Sequence, residues 1–416
     1  MEVIHPRCAG VDVSKKGAKV CIRIQGGGRR KTTSTVGTWS SMAGSVLELR
    51  EYLLAQEVSC VVMEATGDYW RPFYYVLEEG LNVVLANARE VKNVPGRKTD
   101  VSDATWLADL GAHGLVRASF VPPPPIRELR ELTRARTVIT AERSREVQRL
   151  EKLLEDTGIK LSAVASDIVG VSGRAMLEAL IAGQRDPVVL ANLAKRKMRV
   201  KIPQLTEALV GRFTDHHRFM VRLFLDRIDA HSADIARLTE RIEEALVPFS
   251  LVRELLGSIP GVSTGVADVF IAETGADMSV FPTAAQFASW AGTTPGSHES
   301  AGHSKSTKTR PGDSYLKGAM GVAAMSAAKS KNTYLSAKYK RLASRRGRLK
   351  AIVALEHSML TAAWYMLNTG ELYRDLGADY FTRRDPAKAR ARAIGQLEAL
   401  GYHVSITEAD PPRTLT

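Results

Sequence analysis

The chain has 416 residues, 44% hydrophobic and 25% charged, enough apolar material for two or three packed domains, which excludes a disordered chain. Lys and Arg number 58 against 45 Asp and Glu, and the formal charge of +13 favours a polyanionic partner. No run of about 18 apolar residues marks a transmembrane helix, and the N-terminus lacks the apolar core of a signal peptide. Three cysteines, Cys8, Cys21 and Cys60, form no CxxC pair, so they read as buried small hydrophobes and not as a zinc knuckle or disulfide framework.

Residues 8–14 and 18–24 read as strands joined by a turn at Lys15-Lys16-Gly17, with a third strand at 31–36 after Gly26-Gly27-Gly28. A helix over 41–56 carries Val46, Leu49, Leu53 and Leu54 on its apolar face. The apolar run 59–64 is a buried strand. A helix over 69–79, a strand over 81–86 and a helix over 101–112 follow. The order β-β-β-α-β-α-β, then a loop and a helix, is that of the ribonuclease-H-like nuclease fold. In that fold the first and fourth strands are neighbours, so Asp12 and Glu64 should stand side by side. A charge inside an apolar strand is costly unless it is used. In Arg97-Lys98-Thr99-Asp100-Val101-Ser102-Asp103-Ala104 the two acids sit three residues apart and would share a helical face. Bare carboxylates so placed repel, and a divalent cation removes that cost. Asp12, Glu64, Asp100 and Asp103 are therefore expected to converge on bound metal, with Arg97 and Lys98 available to phosphate oxygens.

Pro122 to Pro125 read as a non-helical, extended spacer and mark a domain boundary. Residues 126–157 read as one long helix ended by Gly158. Segment 158–215 has no clear pattern, but Lys195-Arg196-Lys197-Met198-Arg199-Val200-Lys201 is a basic cluster, either a solvated surface or a phosphate contact. A second long helix, 216–246, repeats Val221, Ile228, Ile235 and Ile242 every seventh residue, with Phe224, His231, Leu238 and Ala245 at the other seam position. That pattern suits a two-stranded coiled coil between copies, or pairing with helix 126–157 in the same chain. His231 reads as a packed seam residue.

Leu255-Leu256-Gly257-Ser258-Ile259-Pro260-Gly261-Val262 and a helix over 264–273 form a helix-hairpin-helix-like turn, whose backbone N–H groups at Gly261 could meet a phosphate. Residues 293–314 read as a polar, flexible loop with several hydroxyls, His298, His303 and the cations Lys305, Lys308 and Arg310. Helices over 314–329, which carries Lys317, and over 348–369 flank a basic cluster that includes Lys338, Lys340, Arg345, Arg346 and Arg348. The tail after about 380 is charged and patternless.

These motifs together resemble the DEDD transposases of the "IS-one-ten" insertion-sequence family, the RNA-guided bridge recombinases. The matching stretches are Gly10-Val11-Asp12-Val13-Ser14-Lys15, Met63-Glu64-Ala65-Thr66-Gly67 and the Arg97–Ala104 stretch. Ile259-Pro260-Gly261-Val262, Trp290-Ala291-Gly292, Glu299-Ser300-Ala301-Gly302 and Lys308-Thr309-Arg310-Pro311-Gly312-Asp313 continue the match. The resemblance implies an α/β plus all-α chain. Its parts would be a RuvC-like nuclease domain (1–121), a proline linker and coiled-coil region (122–250), a helical transposase domain with a serine loop (251–375) and a charged tail (376–416). It implies that the four acids hold Mg²⁺, as two ions with Mn²⁺ as a substitute, and that Ser300 attacks a DNA phosphate. Many members have Ser-Gly-Gly where this chain has Ser300-Ala301-Gly302, and Ser297, Ser304 and Ser306 stand close by. The implied partners are donor and target DNA, an element-encoded non-coding guide RNA and further copies of the chain, as a dimer or dimer of dimers. The implied setting is the bacterial cytoplasm at the nucleoid, with no membrane role. Serine and acids fall in different domains, so the active site would be composite. A junction-resolving endonuclease without serine chemistry and a non-catalytic nucleic-acid-binding protein are the alternatives.

Overall fold

The computed structural model of the chain describes residues 2–28, 30–65, 67–94, 102–296, 298–300 and 303–407, with backbone alone at 89–90, 298–300 and 304–305. The chain divides into two compact units, Met1–Val121 and Pro122–Thr416.

The first unit runs β1 (Arg7–Val13), β2 (Gly17–Ile24), β3 (Thr33–Ser40), α1 (Ala43–Ala55), β4 (Cys60–Glu64), α2 (Trp70–Leu77), β5 (Val83–Ala86), α3 (Ala88–Asn93) and α4 (Asp103–Ala112). The sheet order is β3-β2-β1-β4-β5. The first three strands are antiparallel, and β4 and β5 lie parallel to β1. Strand periodicity of two sorts the core into two layers. Val11 and Val13 of β1 and Val61 and Met63 of β4 pack with Val46, Leu49 and Leu53 of α1 and with Phe73 and Leu77 of α2. Cys8, Cys60 and Val62 pack with Trp106, Leu107 and Leu110 of α4. All three cysteines are buried free thiols.

The second unit opens with α5 (Pro124–Thr157), α6 (Leu161–Val164), α7 (Val171–Ile181), α8 (Pro187–Ala191), a 3-10 helix (Arg196–Lys201), α9 (Ile202–Ala208) and α10 (Asp215–Ala245). It continues with α11 (Ser250–Gly257), α12 (Thr264–Thr274), α13 (Ala284–Trp290), β6 (His298–Ser300), β7 (His303–Ser306), α14 (Ser314–Lys329), α15 (Tyr334–Arg346), α16 (Arg348–Thr369), α17 (Tyr380–Arg384) and α18 (Pro386–Ala399). The long helices α5 and α10 pack antiparallel within the chain. Ile126 and Leu129 meet Ile242 and Leu246 in a core completed by α11, α12, α14 and α16. Leu150 and Leu154 meet Val221, Leu225 and Ile228 in a second core completed by α6 to α9. Among the described residues, no helix is long and apolar enough to cross a membrane.

Four expectations are corrected. Pro124 and Pro125 are not a spacer: they open α5, because the first helical turn needs no N–H partner and the proline φ suits it. The heptad seam of α10 is filled by the chain's own α5, so it is not evidence for an intermolecular coiled coil. The 293–314 segment is ordered around a β-ribbon and is not a structureless loop. The tail folds into α17 and α18; Tyr380 and Phe381 stack on Tyr334 at ring distances of 5.1 and 5.4 Å, while α18 buries no residue.

Candidate active site: an acidic sheet end and a serine ribbon

Helix α4 lies on β1 at backbone contact because both surfaces lack side chains there. A Cβ on Gly10 would stand 2.1 Å from the Ala104 carbonyl oxygen and 2.4 Å from the Ala108 nitrogen. A Cβ on Gly111 would stand 2.4 Å from Val62 Cγ2 and 2.6 Å from Cys8 Sγ. These contacts run α4 antiparallel to β1, with its N-terminus toward the Asp12 end. Gly10 and Asp12 share a sheet face by strand alternation. The β1–β4 register pairs Val11 with Met63, so one step further on Asp12 stands beside Glu64. Asp12 and Glu64 are half-buried, and Asp103, first residue of α4, is exposed.

Ser102 caps α4, its hydroxyl accepting from the Thr105 N–H at 3.3 Å. Asp103 in the first turn also suits the positive end of the helix dipole. Three of the four acids thus belong to one end of one sheet face. Among the described residues, no three Asp, Glu, His or Cys side chains stand together as a metal-holding group. Asp100 lies outside the described residues, as do Arg97 and Lys98. Because α4 begins at Asp103, the shared helical face expected for Asp100 and Asp103 is not supplied by that helix. The donors are all hard oxygens, which fit a hard divalent cation.

In the second unit the segment after Trp290 is drawn into a ribbon. Gly292, at φ +76°, packs against Gly312, where a Cβ would stand 2.3 Å from the Gly292 nitrogen. The Gly296 N–H donates to the Lys308 carbonyl at 2.9 Å, and Pro295 and Thr309 form a bridge. Strands β6 and β7 then pair antiparallel, with Ser300 opposite His303 as the last register pair. Ser300 is therefore at the ribbon tip, with an exposed histidine as its cross-strand partner. His303 had no role in the sequence reading, because a strand pairing inside a polar segment leaves no hydrophobic alternation to read.

Lys317, expected at a phosphate, straps the ribbon base: its Nζ donates to the Gly292 carbonyl at 2.8 Å and to Thr309 Oγ1 at 2.9 Å. The ribbon exit is fixed by a buried ionic network that no sequence motif announced. Glu273 on α12 is fully buried and takes the Arg134 guanidinium in two bonds of 2.8 and 2.7 Å, with Arg130 Nε at 3.1 Å. Burial raises the Glu273 carboxyl above its usual range, against the pull of both guanidinium groups. Arg134 also reaches Asp313, the cap of α14, at 3.4 Å and lies over the Tyr315 ring.

The remaining expected nucleic-acid residues are dispersed. Lys308 and Arg310 are exposed on the ribbon, and the Lys305 side chain lies outside the described set. Arg345, Arg346 and Arg348 are exposed at the α15–α16 corner, whereas Lys338 turns inward to Ser358. Gly261, at φ +92°, is required by packing, since a Cβ there would stand 2.4 Å from the Ala323 carbonyl oxygen of α14.

A mixed α/β unit with acids gathered at one sheet end, followed by a helical unit, is consistent with a DEDD nuclease-like domain joined to a helical domain. A family model for the DEDD transposases of IS110, described as "Transposase", matches residues 9–159. A second, "Transposase IS116/IS110/IS902 family", matches residues 253–340. Together they span more than half of the chain, and the chain belongs to the IS110-type transposases. Membership carries DNA recombination by transposition as the activity, DNA as the substrate and a divalent metal as the cofactor class. No curated protein matches the chain.

Proposed function

We propose that this transposase cleaves and exchanges donor and target DNA through a phosphoserine link at Ser300, with Asp12, Glu64, Asp100 and Asp103 holding two Mg²⁺ ions that Mn²⁺ can replace. The observation that carries this reading is the meeting of Asp12 and Glu64 on neighbouring strands, with the Asp103 end of α4 on their face. The strand order β3-β2-β1-β4-β5 supports a ribonuclease-H-like, RuvC-like assignment.

In this reading the Ser300 hydroxyl attacks phosphorus and a P–Oγ bond forms as the bond to the leaving sugar oxygen breaks. The hydroxyl proton passes to the imidazole of His303, and the same proton is returned to the departing alkoxide. A hydroxyl on a second strand then attacks the phosphoserine and releases Ser300. When bound, the divalent cation supplies charge neutralisation at the phosphoryl oxygens. Lys308 and Arg310, exposed on the ribbon, bind phosphate, with Lys305, Arg97 and Lys98 assigned the same role. Arg345, Arg346 and Arg348 hold more distant DNA, and Gly261 offers its turn backbone. The active site is composite, since the acids and the serine belong to different units. A guide RNA selects the two DNA partners, and copies of the chain assemble as a dimer or dimer of dimers.

The test combines protein, the element's flanking RNA, Mg²⁺ and labelled donor and target DNA. A denaturant-resistant protein–DNA adduct is expected in wild type and absent in Ser300→Ala and Asp103→Asn. Cleavage that persists in Ser300→Ala without any adduct would sink the serine step in favour of a junction-resolving nuclease. Unchanged DNA binding with no cleavage by wild type under any divalent ion would leave a non-catalytic binding protein.

A further inference from the structure

The basic cluster Lys195–Lys201 is not used by the reaction above. It folds as the 3-10 helix between α8 and α9, and its ends are pinned. Ala194 and Leu205 on either side are buried in the second core, and Met198 packs against it. The Lys195 N–H donates to Ser172 Oγ at 3.0 Å, and Lys201 Nζ donates to the Val164 carbonyl at 2.8 Å. Arg196 is held at φ +50°, a region that costs a non-glycine residue energy and persists only where its surroundings impose it.

Charge bookkeeping around this helix is uneven. Nearby cations are matched: Arg149 with Glu146, Lys160 with Glu155, Arg174 with Asp229 and Glu178, Arg222 with Glu178. Arg185 donates to the Leu180 carbonyl and covers the Phe213 ring at 4.9 Å. By contrast, Lys195, Arg196, Lys197 and Arg199 are all exposed, and among the described residues none has an ion-pair or side-chain hydrogen-bond partner. Side chains three apart eclipse on a 3-10 helix, so Arg196 and Arg199 form one stripe with a rise of about 6 Å between them. A rigid, strained turn that presents four uncompensated cations fits a polyanion.

We infer that this 3-10 helix is a second DNA-binding site, which grips the phosphates of duplex DNA at the far end of the α5–α10 hairpin from the serine ribbon. Three observations select a duplex. The nearest ring, Phe213, is buried under Arg185 and offers no platform for unpaired bases. Val200 is the sole apolar residue exposed on the helix, too small an anchor for a membrane surface. The hairpin also separates the site from the ribbon's core by a useful length: Leu129 in one core and Leu150 in the other are about 30 Å apart along α5, close to one turn of B-DNA. The inference is independent of which residue is the nucleophile.

The experiment measures binding of the full chain to a 30-base-pair duplex DNA and to a structured RNA of equal length across a salt series. The variant is Lys195→Ala/Arg196→Ala/Lys197→Ala/Arg199→Ala, checked by circular dichroism. Because these side chains make no internal contacts, its spectrum and melting temperature are expected to match wild type. Duplex DNA affinity should fall at least tenfold, and the slope of log K against log salt should flatten by about 3, as for four phosphates released. An unchanged slope and affinity would overturn the site and leave a solvated turn. Loss confined to RNA would overturn the duplex assignment. If the alanine variant unfolds, Arg199→Glu alone, with its outward side chain, gives the same discrimination.

Discussion

Gly10 on β1 lies where any side chain would strike the backbone of Ala104 on α4, the ideal Cβ falling 2.1 Å from its carbonyl oxygen. This contact brings the acidic start of α4 within two residues of Asp12. Gly10→Ala must push the helix off the sheet, since the clashing atoms are backbone and cannot rotate away. A loss of about 3 kcal/mol is expected, at the upper end for overpacking. Chemical denaturation of the isolated first unit, or of the full chain followed by the Trp106 fluorescence, checks it. An unaltered midpoint would mean that α4 does not sit at backbone contact.

The pairing of Ser300 with His303 makes the histidine the proton acceptor for the serine. His303→Ala is expected to lower the rate of adduct formation by about a hundredfold or more, the usual worth of a general base, while leaving DNA affinity near wild type. Added imidazole should restore part of the rate. A variant with full activity would show that the serine loses its proton elsewhere.

Lys317 ties Gly292 to Thr309 across the ribbon base. Lys317→Met keeps the packed stem of the side chain and removes the three donors. Cleavage is expected to fall roughly tenfold or more as the ribbon loosens, at about 1 kcal/mol per hydrogen bond lost. The salt dependence of DNA binding should be unchanged, since the ammonium is spent inside the fold. A flatter salt slope with normal cleavage would restore Lys317 to the phosphate-binding set.

Glu356 on α16 is 5% exposed, and its Oε2 has no hydrogen-bond partner among the described residues. Burial pushes its carboxyl up to about 6, with Lys317 pulling the other way. A carboxyl raised in the fold contributes stability fully present below its unfolded value, lost as pH rises through the folded one. The second unit should therefore lose about 2 kcal/mol between pH 4.5 and pH 7 from this group alone. Glu356→Gln should remove that slope and be the more stable protein at pH 8, with no advantage at pH 4.5. Parallel urea curves for the two proteins at all pH values would contradict the buried placement of the carboxyl.

The sequence by itself determined the elements whose signal is local. Period-two and period-3.6 apolar patterns placed the five strands of the sheet and the two long helices, with ends displaced by a few residues. The unusual position of Asp12 and Glu64 inside apolar strands marked them as candidate ligands, since burying a charge is costly without a use for it. Motif order carried the family assignment. Tertiary structure decided everything that depends on contacts distant in sequence. The heptads of α10 specify an apolar stripe but not its partner, and the chain's own α5 fills it. Gly10 and Gly261 look alike in a sequence, yet each is fixed by the backbone of a remote helix, Ala104 for one and Ala323 for the other. The ribbon that sets Ser300 against His303 consists of polar residues with no alternation, so its register comes from the Gly292–Gly312 contact and the Lys317 strap at its base. The buried Arg134–Glu273 pair is silent in the sequence for the same reason: a charged residue declares its partner only when folding removes the water around both.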